Sequence, residues 1–188
     1  MADYNYLIRR RFWVLFGAKF DIFDATGRQI GFSKQKAFKL KEDIRVFKEE
    51  SSEKPFLQIH ARSIIDFSTA YDIFNEVGER IGTWKRKGMK SLLRDTWIVE
   101  DNVGNEVGIV QEDSLGLALL RRFLCNLIPQ KYNLIAPDGH IYARYERCFN
   151  PFIFKQRTTI YAGLPIPAMS ILGGAILLSA IEGHQSSY

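Results

Sequence analysis

The sequence predicts a mainly β protein in which a closed antiparallel barrel surrounds an apolar C-terminal helix. One hairpin-like motif occurs four times along the chain, and the segment from Tyr161 to Ile181 carries no charged residue. The aromatic share is 13%, with 14 Phe and 8 Tyr, which is typical of strand-rich chains. At 188 residues the chain can form one domain with a sizeable core. We therefore treat residues 1–188 as a single barrel domain.

The repeated motif is an aromatic strand, an Asp or Asn turn with glycine, and a second apolar strand. Phe20–Gly31 and Tyr71–Gly82 align without a gap, Trp97–Gly108 is a weaker copy, and Tyr132–Tyr142 is read as one residue shorter in its turn. The Asp or Asn can hydrogen-bond its own backbone, and glycine supplies the positive φ that closes the turn. This pattern predicts four structural turn glycines: Gly27, Gly78, Gly104 and Gly139.

Further strands are predicted where apolar residues alternate with polar ones. Phe38–Lys41, Ile44–Val46 and Leu57–Ala61 show this alternation between the first two hairpins. This alternation is typical of a sheet with one buried face and one solvent-exposed face. Hairpins in series with one wet face form an antiparallel sheet, and a sheet of many hairpins closes into a barrel.

Two segments have helical patterns instead. Residues 114–127 place Leu120, Phe123 and Leu124 on one face, and Pro129 ends the pattern, so we expect an amphipathic surface helix.

The C-terminal segment is apolar on all sides, which indicates either a buried helix or a membrane span. Pro165 and Pro167 suit the first helical turn, so the regular helix is predicted over 167–181. Such a helix is about 22 Å long at about 1.5 Å per residue. The hydrocarbon core of a bilayer is about 30 Å thick, so length favours the barrel interior. A tail-anchored protein remains the open alternative.

Composition gives no sign of catalysis or of a cofactor. Cys125 and Cys148 form no metal-spaced cluster with His60, His140 or His184. No nucleophile motif and no glycine-rich phosphate loop occurs in the sequence. We therefore expect a non-enzymatic, cytoplasmic protein without metal or cofactor. The net charge of +5 and pI of about 9.2 suit an anionic partner.

The order of elements around the run Gly82–Trp97 resembles that of the tubby C-terminal-like superfamily. A hairpin precedes this run, and a second hairpin and two helical segments follow it. The similarity is to the branch of LURP-one-related and phospholipid scramblase-like proteins and covers about residues 12–181. The resemblance implies about twelve strands with the apolar helix through the barrel centre, and a role at membrane phospholipids. Scramblases carry an acidic calcium-binding segment before the last helix, whereas Asn150–Ile160 contains no Asp or Glu, so no calcium site is carried over.

Basic residues follow the first two hairpins at equivalent places and are the candidate phospholipid-headgroup ligands. They are Lys34, Lys36, Lys85, Arg86, Lys87 and Lys90. Equivalent loops of a closed barrel emerge at the same rim, so these residues predict a cationic rim. The resemblance implies that such a rim recognises anionic membrane phospholipids, as part of a peripheral protein. No nucleic-acid module is recognisable, and nucleic acid is not an expected partner. A protein-interaction barrel without a lipid ligand remains a further alternative, with these residues as solvated charges.

Overall fold

The computed structural model describes residues 4–11, 19–34, 43–62, 70–87, 96–112, 131–148 and 153–185. These residues form twelve antiparallel strands and one helix, so the predicted fold class is confirmed. Each strand pairs with its neighbours in the sequence, and β1 closes the barrel by pairing with β12. The elements are β1 (Tyr4–Arg10), β2 (Lys19–Phe23), β3 (Gln29–Lys34), β4 (Asp43–Phe47), β5 (Leu57–Ala61), β6 (Ala70–Asn75), β7 (Arg80–Arg86), β8 (Thr96–Glu100), β9 (Glu106–Glu112), β10 (Lys131–Ile135), β11 (Ile141–Cys148), β12 (Lys155–Ile160) and α1 (Ala168–Gln185).

The four repeated motifs form four hairpins that share one closing backbone hydrogen bond, and in the third the Gly104 amide donates to the Asp101 carboxylate. In the first, the Gly27 amide donates to the Asp24 carbonyl at 3.0 Å and the Asp24 amide donates to the Arg28 carbonyl at 2.9 Å. The Asp24 carboxylate also accepts from the Thr26 and Arg28 amides. The turn glycines have φ of 82° (Gly27), 84° (Gly78), 103° (Gly104) and 87° (Gly139), which is the conformation that the motif predicts.

The fourth hairpin differs from its sequence-based description. Its turn is not one residue shorter, because the Gly139 amide donates to the Ala136 carbonyl and the Ala136 amide donates to the His140 carbonyl, as in the first hairpin. Each of the four hairpins also has a register shift just before the turn, between Leu134 and Ile135 in this copy. Pro137 and Ala136 obscured the alignment, since Ala136 stands where the other copies have Asp or Asn.

The barrel begins earlier than the sequence resemblance suggested. Residues 4–10 form β1, upstream of the expected start of the core near residue 12. Arg9 and Arg10 belong to this strand, which pairs with β2 on one side and β12 on the other. It is therefore an interior strand of a closed sheet and not an edge strand.

Helix α1 fills the barrel. Every residue from Ser170 to Ala180 is buried, and α1 packs against β1, β5, β6, β7 and β12. Gln156 on β12 donates from Nε2 to the Ala175 carbonyl of the helix at 3.2 Å, which ties the wall to the helix. The helix extends to Gln185, four residues beyond the predicted end at Ile181, because the residues after Ile181 include good helix formers and no proline.

Two sequence-based expectations lie outside the described residues. These are the surface helix over 114–127 and the strand-like run Phe38–Lys41.

Because the strand order is up-and-down, connections alternate between the two ends of the barrel. The connections after the even-numbered strands lie at one end, which we call the hairpin end since it carries the four turns. The odd-numbered strands finish at the opposite end, which we call the basic end for the charges described below.

Candidate functional site

The two ends of the barrel differ in charge. The six connecting segments of the hairpin end contain eight acidic and three basic residues, whereas in sequence the six connecting segments of the basic end contain ten basic and four acidic residues. Among the described residues, the connecting segments of the basic end carry Arg11, Arg62 and Lys87 and no acidic residue. A local excess of one sign of charge raises the local concentration of ions of the opposite sign.

Strand direction brings the candidate headgroup residues to the same end. Lys34 is the last residue of β3 and Arg86 is the last residue of β7, and both strands finish at the basic end. Lys85 and Lys87 flank Arg86 in the sequence. Lys36 and Lys90 lie outside the described residues. The topology thus places Lys34 and residues 85–87 at one end of the barrel, with three strands between them.

Lys85 and Arg86 are occupied by contacts within the barrel. Lys85 Nζ forms an ion pair with Glu100 Oε1 at 2.5 Å, so its charge is compensated on the outer face. The Arg86 guanidinium lies 6.0 Å from the ring centroid of Trp97, a buried side chain. Burial raises the pKa of the neighbouring Tyr71 phenol, and the positive charge of Arg86 opposes that rise. Both residues have clear structural roles.

Lys87 is exposed, and no carboxylate among the described residues forms an ion pair with it. It is the first residue after β7, and its backbone amide donates to the Thr96 carbonyl at 2.9 Å. That bond fixes the backbone where the chain leaves the barrel wall.

Sequence reasoning missed further cations near the basic end. Lys155 and Arg157 alternate with the buried Gln156 and Thr158 on β12, so they face outward, and Lys19 opens β2 beside the buried Phe20. Within the described ranges, no carboxylate forms an ion pair with any of these three cations or with Lys87. In the sequence of β12 only Ile160 is apolar, so no alternation of apolar and polar residues marks Lys155 and Arg157 as strand residues.

Two arginines of the basic end are held by aspartates at equivalent repeat positions. Arg11 Nε donates to Asp21 Oδ1 at 2.8 Å. Arg62 donates to both carboxylate oxygens of Asp72 at 2.7 Å. The hydrogen bond to Asp72 raises the pKa of Arg62. These arginines stabilise neighbouring strands and are poor candidates for ligand binding.

The lysine and arginine side chains on the outer wall near this end are groups that interact with anions by charge. Lysine ammonium groups bind phosphates as point charges, and arginine adds a planar fork of donors. In the described part of the chain, no helix has both the length and the apolarity to cross a membrane.

Comparisons with known proteins bear on the fold. The sequence matches no protein-family profile and no curated protein sequence. Among solved structures, the chain is similar to a protein from Arabidopsis thaliana determined by X-ray crystallography. The two are 13% identical, the match covers 93% of this chain and 89% of that chain, and the TM-score is 0.51. At this identity the likeness shows the fold alone.

Proposed function

We propose that this protein is a non-catalytic binding protein whose basic end contacts anionic phospholipid surfaces. The observation that carries the proposal is the segregation of charge between the two ends of one closed barrel. The exposed Lys87 and Arg157 and the half-buried Lys19 and Lys155 would make the contact. The resemblance of the sequence to tubby-like and scramblase-like proteins points to the same ligand.

The size of the expected effect follows from the number of cations. A Lys or Arg close to an anionic leaflet contributes about 1 kcal/mol. Three such residues together contribute about 3 kcal/mol, which is about two orders of magnitude in the partition coefficient. Screening over about 8 Å at physiological ionic strength weakens the attraction, so binding falls as salt rises.

The test is co-sedimentation with vesicles of phosphatidylserine and phosphatidylcholine, compared with vesicles of phosphatidylcholine alone. Wild-type protein is expected to bind the acidic vesicles at low salt, and Lys87→Glu/Lys155→Glu/Arg157→Glu is expected to lose most of that binding with its thermal midpoint nearly unchanged. Lys85 and Arg86 are left intact, because changing them disturbs the Glu100 pair and the Trp97 contact.

The matched control is Lys54→Glu, which reverses one exposed charge at the hairpin end. It is expected to bind acidic vesicles like wild type. Equal loss of binding in this control would contradict a contact through the basic end. Wild-type protein that ignores acidic vesicles at low salt would exclude the lipid proposal, and tight binding to an oligonucleotide under those conditions would assign the cations to nucleic acid.

A further inference from the structure

Among the described residues, the large apolar side chains that are exposed to solvent belong to two valines. Val77 is 75% exposed and Val103 is 72% exposed, and both lie at the hairpin end. They occupy the same position of two adjacent hairpins, directly before the positive-φ glycines Gly78 and Gly104. The turn does not need an apolar residue there, because Thr26 and Asp138 fill that position in the other hairpins. Single exposed apolar residues are ordinary, but a matched pair on neighbouring turns calls for a reason.

The two turns are tied to each other. Arg80, which follows the β6–β7 turn, donates from Nη2 to the Asn102 carbonyl in the β8–β9 turn at 2.8 Å. Asn102 directly precedes Val103 in the sequence. Each turn is also closed by its own side chain, since Asn75 and Asp101 accept hydrogen bonds from backbone amides of their turns. The two valines are therefore presented by turns that are fixed before any partner arrives, which lowers the entropic cost of binding.

The surroundings of the valines are acidic. Glu76 and Glu79 lie in the first turn, Asp101 begins the second, and Glu106 is exposed at the start of β9. Lys48 pairs with Glu76 at 2.9 Å, whereas no ion pair involves Glu106 among the described residues. An anionic membrane would be repelled by these carboxylates, so charge complementarity favours a cationic partner with apolar side chains.

We propose that Val77 and Val103 form a docking surface for a basic polypeptide segment that carries apolar anchor residues. The valines would bury the anchors, and the surrounding carboxylates would pair with flanking Lys or Arg. This surface lies at the barrel end opposite the proposed lipid contact and does not depend on it.

The test uses two fluorescent twelve-residue peptides of equal lysine content, one with leucine anchors and one with serine in their place. Their affinity for the full chain is measured by fluorescence anisotropy. We expect the leucine peptide to bind more tightly than the serine peptide. In Val77→Ser/Val103→Ser, its affinity should fall by at least about fivefold, because the apolar area buried on binding is lost. The serine peptide should bind this variant and wild type equally.

Two further variants separate the contributions. Thr26→Ser, at the equivalent position of the first hairpin, should leave both affinities unchanged. Glu106→Lys should weaken both peptides, and this loss should shrink at high salt. Wild-type affinity in the double valine variant would overturn the proposal, as would equal binding of the two peptides to wild type. Concentration-dependent self-association of wild type that the valine variant abolishes would also overturn it, by assigning the surface to a second copy of the chain.

Discussion

Asp72 shows how a single carboxyl on the outer wall links three strands. It accepts from Arg62 on the β5 side at 2.7 Å and from Thr83 Oγ1 on β7 at 2.7 Å. Burial raises the pKa of Asp72, but the hydrogen bonds from Arg62 and Thr83 and the nearby arginine charges outweigh it, so the net pKa lies below the ordinary value. Its equivalent in the first repeat, Asp21, pairs with Arg11, so the repeat preserves the contact as well as the turn.

Replacing Asp72 by Asn should therefore destabilise the protein in a pH-dependent way. Hydrogen bonds to charged groups are worth about 1.5–3 kcal/mol, and we expect a loss of that order at pH 7. A depressed pKa in the folded state adds stability above the unfolded pKa of about 3.9, and this stability is lost as pH falls through the folded pKa. Urea unfolding at pH 7 and at low pH should show the difference between variant and wild type shrinking in acid.

Asp24→Asn is the matched control for that experiment. Asp24 is a turn residue, and Asn75 fills the same position in the second hairpin with the same backbone contacts. The variant keeps both backbone contacts but loses the exposed ion pair with Arg28, so its free energy of unfolding at pH 7 should fall by less than about 1 kcal/mol. If Asp24→Asn lowered the free energy of unfolding as much as Asp72→Asn, the pairing of Asp72 with Arg62 would not explain the effect of the Asp72 variant.

Glycines of the chain serve two different purposes, which substitution by alanine distinguishes. At Gly78, with φ of 84°, an added Cβ meets no atom within 4 Å, so only backbone strain opposes it. We expect Gly78→Ala to cost about 1–2 kcal/mol in urea unfolding. At Gly174 in α1 an added Cβ would overlap the buried ring of Trp84, so Gly174→Ala should cost clearly more. Equal costs at the two sites would contradict this account.

At the scale of the elements, helix α1 is the core of the barrel. Ile171, Leu172, Ala175 and Ile176 have no exposed surface, and their neighbours are the inward side chains of the wall. A carboxylate placed among them would be buried without a partner, at a cost that exceeds typical protein stability.

Ile176→Asp is therefore expected to abolish folding, and Ala168→Asp to preserve it. Ala168 is the first residue of α1 and is partly exposed, so an acid there interacts favourably with the helix dipole. Circular dichroism and size-exclusion chromatography of the two variants provide the comparison. A folded, monomeric Ile176→Asp would contradict the placement of the helix inside the barrel.

The elements also show what a sequence can and cannot reveal. The hairpins were predictable because Asp or Asn followed by Gly at a fixed spacing favours one type of turn. The strands β4 and β5 were predictable from alternation, since one face of each is buried. In contrast, β1 contains a run of arginines that masks its strand character, and its pairing with β12 joins residues more than 140 positions apart. Local patterns carry no information on such a contact.

The candidate site was predictable only in outline. The position of basic residues after two equivalent hairpins predicted a common end of the barrel. The described residues Lys34 and 85–87 lie at one end, because strand direction is fixed once the hairpins are known. Whether a given cation is exposed depends on its neighbours across strands, and those neighbours are set by register. Lys85 meets Glu100 and Arg86 meets Trp97 only because β7 pairs with β8 in one register.

At the scale of the whole molecule, one strand pair closes the barrel. The pairing of β1 with β12 covers six residues of each strand, from Tyr4 opposite Ile160 to Arg9 opposite Lys155. Without β1, both β2 and β12 become edge strands with unpaired backbone groups, and one side of α1 loses its cover. Exposed edges of this kind promote association between chains.

Deletion of residues 1–11 should therefore produce a chain that aggregates or fails to fold. A synthetic peptide of residues 1–11, added during refolding, should restore a barrel that sediments like wild type, because an extended peptide can add itself between two free strand edges. A peptide of the same composition in scrambled order should not, since Ile8 is fully buried in the native register. Analytical ultracentrifugation and thermal unfolding report the result. The contrary result is a truncated chain that sediments and melts like wild type without the peptide. That result would show that β1 is dispensable and that closure of the barrel does not hold the helix in place.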